Sequence, residues 1–155
     1  MSADLITSFY EAFSRRDAEA MVATYADDVR FSDPVFSDLR GERARNMWRM
    51  LCERGKDLEV TFSDVKVDGD RGSARWEARY TFSVTGNRVH NVIDASFVFA
   101  DGKISEHVDT FDLWRWSGMA LGLKGKLLGW APFVKSAIQK TGARGLDDWT
   151  AKRAK

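Results

Sequence analysis

Both histidines of this 155-residue chain, with Asp94 and Asp109, lie within the segment from His90 to Phe111, and Asp33 stands immediately before Pro34. Asp101-Gly102 reads as a two-residue hairpin turn. Counting outward from it sets Phe99 opposite Ile104, Ser96 opposite His107 and Asp94 opposite Asp109. Alternation then gathers His90, Asp94, Ser96, Ser105, His107, Asp109 and Phe111 on one face. The other face holds Ile93, Ala95, Phe97, Phe99, Ile104 and Val108. Opposed carboxylates repel when buried, so one of them would hold its proton near neutral pH. Facing a pocket, such a cluster is acid/base machinery; facing water, it is a solvated polar face.

Each of these residues has an ordinary alternative role. Asp33 could end a strand as a turn residue, whereas Asp94 is disfavoured in mid-strand and harder to explain by structure alone. His107 with Asp109 could be a general acid/base pair, a metal-ligand fragment or an exposed strand pair. With no third ligand at a recognised spacing, no metal is expected. Trp48, Trp76 and Phe111 sit on apolar stripes that serve equally as core or as ligand wall. Cys52 is the only cysteine, so no intramolecular disulfide can form, and inert packing is its expected role.

The elements that must position these groups follow from periodicity. Leu5, Ile6, Phe9 and Phe13 predict a helix over about 3–14. A second, shorter helix carries Ala18, Met21, Val22 and Tyr25 behind a capping Asp17. Val29 to Pro34 is a short strand, and Ala44, Met47, Trp48 and Leu51 mark a third helix ending at Gly55. Four long alternating stretches then predict antiparallel strands, with a bulge before Val65 and a last strand from Ile104 to about Trp114. Helices first and strands afterwards predict an α+β domain, its helices on one face of a bent sheet.

Charged residues make up 30% of the chain, yet the net charge is only +1, which gives no reason to expect nucleic acid as partner. The balance is uneven: from Arg115 onward there are nine Lys/Arg against two Asp. This tail, residues 117–155, holds Leu121, Leu123, Leu127, Leu128, Trp130, Phe133, Val134 and Ile138 among lysines. It predicts helices that cover the domain or a dimer partner; the alternative is an amphipathic helix at a membrane surface. No stretch approaches the ~20 apolar residues that span a bilayer, and the N-terminal segment does not read as a signal peptide. A cytoplasmic protein is expected.

The run DAEAMVATYADDVRFSDPV, Asp17 to Val35, resembles the corresponding stretch of bacterial ketosteroid isomerases and of SnoaL-like members of the nuclear-transport-factor-2-like superfamily. VIDASFVFADGKI and EHVDTFDLWRW resemble the same superfamily, so the likeness covers about residues 3–116. It implies a cone-shaped domain over 1–116 and a cofactor-free enzyme acting on a hydrophobic carbonyl, polyketide or terpenoid compound. By the same resemblance Asp33 is the base and Asp94 the protonated hydrogen-bond donor; His107 and Asp109, on a strand that is mostly apolar in the isomerases, would add a second proton-handling pair. Phe9, Trp48, Trp76, His90 and Phe111 would bind the substrate, and a homodimer is implied. Phe9 falls where the isomerases carry an oxyanion-binding tyrosine; Tyr10, about 100° further around the helix, is expected to point elsewhere. The competing reading is a non-catalytic domain that binds a hydrophobic ligand or dimerises.

Overall fold

The computed structural model describes residues 2–153. The chain runs α1 (Ser2–Ser14), α2 (Ala18–Val22), β1 (Tyr25–Ser32), β2 (Leu39–Arg40), α3 (Glu42–Arg54), β3 (Glu59–Asp68), β4 (Arg71–Phe82), β5 (Asn87–Ala100), β6 (Lys103–Thr110), α4 (Leu113–Leu121), α5 (Leu123–Leu128) and α6 (Pro132–Arg153). The six strands form one curled sheet in the order β2-β1-β6-β5-β4-β3. Every pairing is antiparallel except β1 with β6, which is parallel. This is the α+β architecture the sequence predicts, with α1 to α3 closing the concave side.

Local chemistry explains the boundaries. Asp17 caps α2 by accepting from the Ala20 amide at 3.1 Å. Gly55 ends α3, its N–H donating to the Leu51 carbonyl at 2.8 Å. Asp101 and Gly102 both have positive φ, 52° and 75°, as a tight hairpin turn between β5 and β6 requires. The expected bulge in β3 lies between Ser63 and Lys66, with Asp64 at φ 57°.

Two boundaries differ from the sequence reading. Tyr25 opens β1 instead of closing α2, because α2 ends after Val22 and the Thr24 hydroxyl ties back to the Met21 carbonyl. The last strand stops at Thr110; Asp112 then caps α4 by accepting from the Arg115 amide, so Trp114 is helical.

The core is unusually aromatic. Phe9, Tyr10 and Phe13 on α1, Trp48 on α3, Phe31 on β1, Trp76 on β4 and Phe97 on β5 are all buried. They meet edge-to-face or tilted, for instance Phe13 with Trp48 and Trp76, each at 5.2 Å between ring centres. A second, smaller cluster of Val89, Leu113, Trp116 and Ala120 lies where α4 packs on β5. Val35, Tyr80 and Phe111 touch both clusters and form the seam between them. α6 turns back to α3, where the Trp149 indole donates to Glu53 at 2.6 Å and Arg43 pairs with Asp147.

Phe13→Ala removes a ring that touches both core tryptophans. It should destabilise the protein by about 3–5 kcal/mol, read as a lower urea midpoint with unchanged slope.

Candidate functional site

The hairpin of β5 and β6 carries most of the candidate residues, and its register decides which of them meet. Phe99 faces Ile104 as the turn predicts. Beyond that pair the register shifts by one: Val98 faces Glu106, Phe97 faces His107 and Ala95 faces Asp109. Ser105 is the extra residue, and its hydroxyl donates to the Val98 carbonyl at 3.0 Å, closing the bulge. One inserted residue reverses the alternation of everything after it. His107 and Asp109 therefore point into the apolar core with Phe97 and Ala95, while Val108 turns away. The single polar face expected from the sequence does not exist.

Asp94 is consequently separated from the other candidates. It lies on the outer face of β5, opposite Thr110, with its carboxylate exposed and ion-paired to Arg75 at 3.0 Å. Arg75 answers the objection to an aspartate in mid-strand: the pair is a cross-strand contact in water. His90 shares that outer face, its Nε2 2.7 Å from Glu77. Phe9, Trp48 and Trp76 are packed in the interior against one another and their neighbours, and Phe111 is half-buried at the seam.

Inside the core, five side chains form one hydrogen-bonded chain. The Trp48 indole donates to the Tyr25 hydroxyl at 2.8 Å. Tyr25 lies 2.7 Å from His107 Nδ1, and His107 Nε2 lies 2.8 Å from Asp109 Oδ1. The Trp76 indole donates to the same Oδ1 at 3.3 Å. The directions follow from the donor inventory. An indole can only donate, so Tyr25 accepts from Trp48 and sends its own proton to His107 Nδ1. The ring proton then sits on Nε2 and is donated to Asp109. Burial, followed by the charge of Asp109, holds the Tyr25 hydroxyl well above its ordinary pKa, so it remains a donor. His107 is fully buried, stacked on Trp48 and 5.0 Å from the Phe31 ring centre. Such a chain is tolerated in an apolar core because each link satisfies the next.

Asp33 lies near this chain through the parallel pairing of β1 with β6. Phe31 lies beside His107 and Ser32 beside Val108, and Asp33 follows directly where β1 ends, close enough to Asp109 to feel its charge. Asp33 Oδ1 accepts from the Val35 and Phe36 amides at 2.7 and 2.6 Å, the turn role its position before Pro34 suggests. Burial nevertheless raises its pKa to about 7; the two amides pull it down and the Asp109 charge adds to the rise. The folded chain thus keeps a proton that an unfolded aspartate releases near pH 4. That contribution to stability is complete below about pH 4 and is lost as the pH rises through about 7. In both carboxyls the hydrogen bonds fall on Oδ1, leaving Oδ2 uncommitted among the described residues.

The sequence reading missed three tyrosines. Tyr25 belongs to β1 and not to α2, and the irregularity between Tyr25 and Arg30, with Asp27 exposed, separates it from the alternation of Val29 and Phe31. Tyr10 points inward like Phe9, and its buried hydroxyl has no partner among the described residues. Burial first, then the charges of Asp109 and Tyr25, push its pKa well up, so it is an unused donor. Tyr80, whose hydroxyl accepts from the Trp116 indole at 2.7 Å, titrates high because it is buried and feels the Asp33 charge. Two grooves are lined by none of these tyrosines, although Val35 and Phe36 line the first. One, of about 300 Å³, runs between Val35–Leu39 and α6; the other, of about 430 Å³, lies beside Trp114 and Lys126.

Residues 6–107 match the SnoaL-like domain family, and the chain belongs to it. No curated protein matches the sequence. Among solved structures, a candidate polyketide cyclase of Pseudomonas putida KT2440 superposes with a TM-score of 0.65 at 20% identity, covering 77% of this chain and 98% of that one. An LEH-like epoxide hydrolase of M. tuberculosis gives 0.63 at 22% identity, over 81% and 94% of the two chains. TerC, crystallised with polyporic acid, gives 0.60 at 19%, over 70% and 89%. At these identities the likeness shows the shared nuclear-transport-factor-2-like cone fold.

Tyr25→Phe leaves both the Trp48 N–H and His107 Nδ1 without a partner. The loss of stability should be about 2–4 kcal/mol, measured by urea unfolding; a loss below ~0.5 kcal/mol would show that the chain of bonds is not formed.

Proposed function

We propose that this protein is a small-molecule enzyme doing cofactor-free acid/base chemistry on a hydrophobic carbonyl compound of polyketide or terpenoid type. The observation that carries the reading is Asp33 itself, a largely desolvated carboxyl at the end of β1 that feels the Asp109 charge and titrates near neutrality. A carboxyl with a pKa of about 7 is present in comparable amounts as acid and as base, which suits a group that takes a proton and returns it. Burial keeps that proton on Asp33, and the charge of Asp109, oriented by His107 and Trp76, adds to the effect.

In this mechanism Asp33 Oδ2 removes a proton next to the substrate carbonyl and redelivers it. Tyr10, a buried hydroxyl that keeps its proton and lacks an acceptor, is the donor for the negative charge that develops on oxygen. Asp94, ion-paired on the outer face, has no part in the reaction. The aromatic interior and the Val35, Tyr80 and Phe111 seam supply apolar contact for the substrate. The solved relatives are similar in fold, and one of them was crystallised with polyporic acid.

A second reading, a non-catalytic hydrophobic-ligand or dimerisation domain, draws on the packing. Leu113 and Trp116 of α4 cover the seam, and neither groove described above is lined by Asp33, His107 or Asp109. The two readings separate in one experiment. Hydrophobic carbonyl compounds are screened for thermal stabilisation, and hits are assayed for turnover with the natural chain and with Asp33→Asn. The enzyme reading predicts turnover that increases with pH through about 7 and falls by ~10²–10⁴ in Asp33→Asn with binding retained. Binding without turnover by the natural chain would leave the second reading standing.

A further inference from the structure

The segment from α5 to the start of α6 is built inside out. In a helix packed on a globular domain the apolar side chains face inward and the polar ones outward. In α5 the inward side is glycine. A Cβ on Gly125 would lie 1.9 Å from the Ser117 carbonyl oxygen, and one on Gly129 would lie 2.8 Å from Ser117 Cβ. These contacts bring the α5 backbone directly against α4, which leaves the larger side chains to point away. Leu123, Leu127, Leu128, Trp130 and Phe133 are all exposed, Leu123 and Phe133 to about 70% (71% and 68%), with Trp114 beside them. Both exposed indoles turn their N–H groups back to the chain, Trp114 to the Lys126 carbonyl at 3.0 Å and Trp130 to the Leu127 carbonyl at 2.9 Å. Their ring faces are thereby free of polar demand.

The charge around the patch is mostly basic, with Asp112 the acidic exception in the groove beside Trp114 and Lys126. Between Asp112 and Asp147 there is no acidic residue, while Arg115, Lys124, Lys126, Lys135, Lys140 and Arg144 are all present and exposed. We propose that this surface binds an anionic lipid bilayer peripherally. Its leucines, Trp130 and Phe133 enter the interface, and the basic groups stay at headgroup level. No helix among the described residues is long and apolar enough to cross a membrane, so the attachment is to one leaflet. A second copy of the chain fits this surface less well. In a two-fold contact the basic collar would meet itself, and like charges would face one another around the apolar centre.

Co-sedimentation of the full chain with vesicles tests the proposal directly. Binding is expected to vesicles of phosphatidylcholine mixed with phosphatidylglycerol, and to weaken as salt is raised. Binding to phosphatidylcholine alone should be at least ~10-fold weaker. Leu127→Glu with Trp130→Glu should abolish sedimentation while the far-ultraviolet circular dichroism stays that of the natural chain. Lys124→Gln with Lys126→Gln should weaken it by about fivefold per residue. Failure to sediment with the mixed vesicles, or equal binding to both kinds, would overturn the proposal. So would a dimer in solution that the Leu127→Glu, Trp130→Glu variant dissolves, since the patch would then be occupied by a second copy.

Discussion

An imidazole and a carboxylate in an aromatic core must either be fully hydrogen-bonded or cost the fold several kcal/mol, and the architecture around His107 and Asp109 is organised by that requirement. Trp48 comes from α3, Tyr25 from β1 and Trp76 from β4, and each brings one polar atom to a line that ends on Asp109 Oδ1. Three separate elements are thereby tied to β6. The same rings exclude water from the line, which strengthens every link in it.

The chain of bonds also connects the core to the seam. Asp109 is its last acceptor, and the parallel pairing of β1 with β6 ends just before Asp33, which feels the Asp109 charge. Burial of the Asp33 carboxyl is the main cause of its titration near pH 7, and the charge of Asp109, held in place by its donors, adds to it. The second contribution depends on the strand order and on the bulge at Ser105, which turns Asp109 inward. α4, through Leu113 and Trp116, then covers this end with apolar side chains.

How much of this the sequence discloses depends on how local each signal is. The helices follow from 3.6-residue periodicity, and the hairpin turn from Asp101-Gly102, because both are set within a few residues. The faces of β6 do not follow, because Ser105 inserts one residue through a hydrogen bond to the neighbouring strand, and no pattern within β6 announces it. That single shift sends Asp94 outward to Arg75 and His107 inward to Tyr25. Asp33 is legible from its place before Pro34, whereas its partner is not: β1 and β6 are some 75 residues apart in sequence and meet only in the parallel pairing (Phe31 beside His107). The outward leucines of α5 are visible as a composition, yet their exposure depends on how closely Gly125 approaches Ser117.

Central to the proposed chemistry is Asp33, a carboxyl that holds a proton near neutral pH under the influence of Asp109, which the buried chain fixes. Carbon-13 NMR titration of the Asp33 side-chain carboxyl measures this directly. The structure predicts a midpoint near 7 that falls in Asp109→Asn, where the neighbouring charge is gone. A midpoint near 4, or one that Asp109→Asn leaves unmoved, would contradict it.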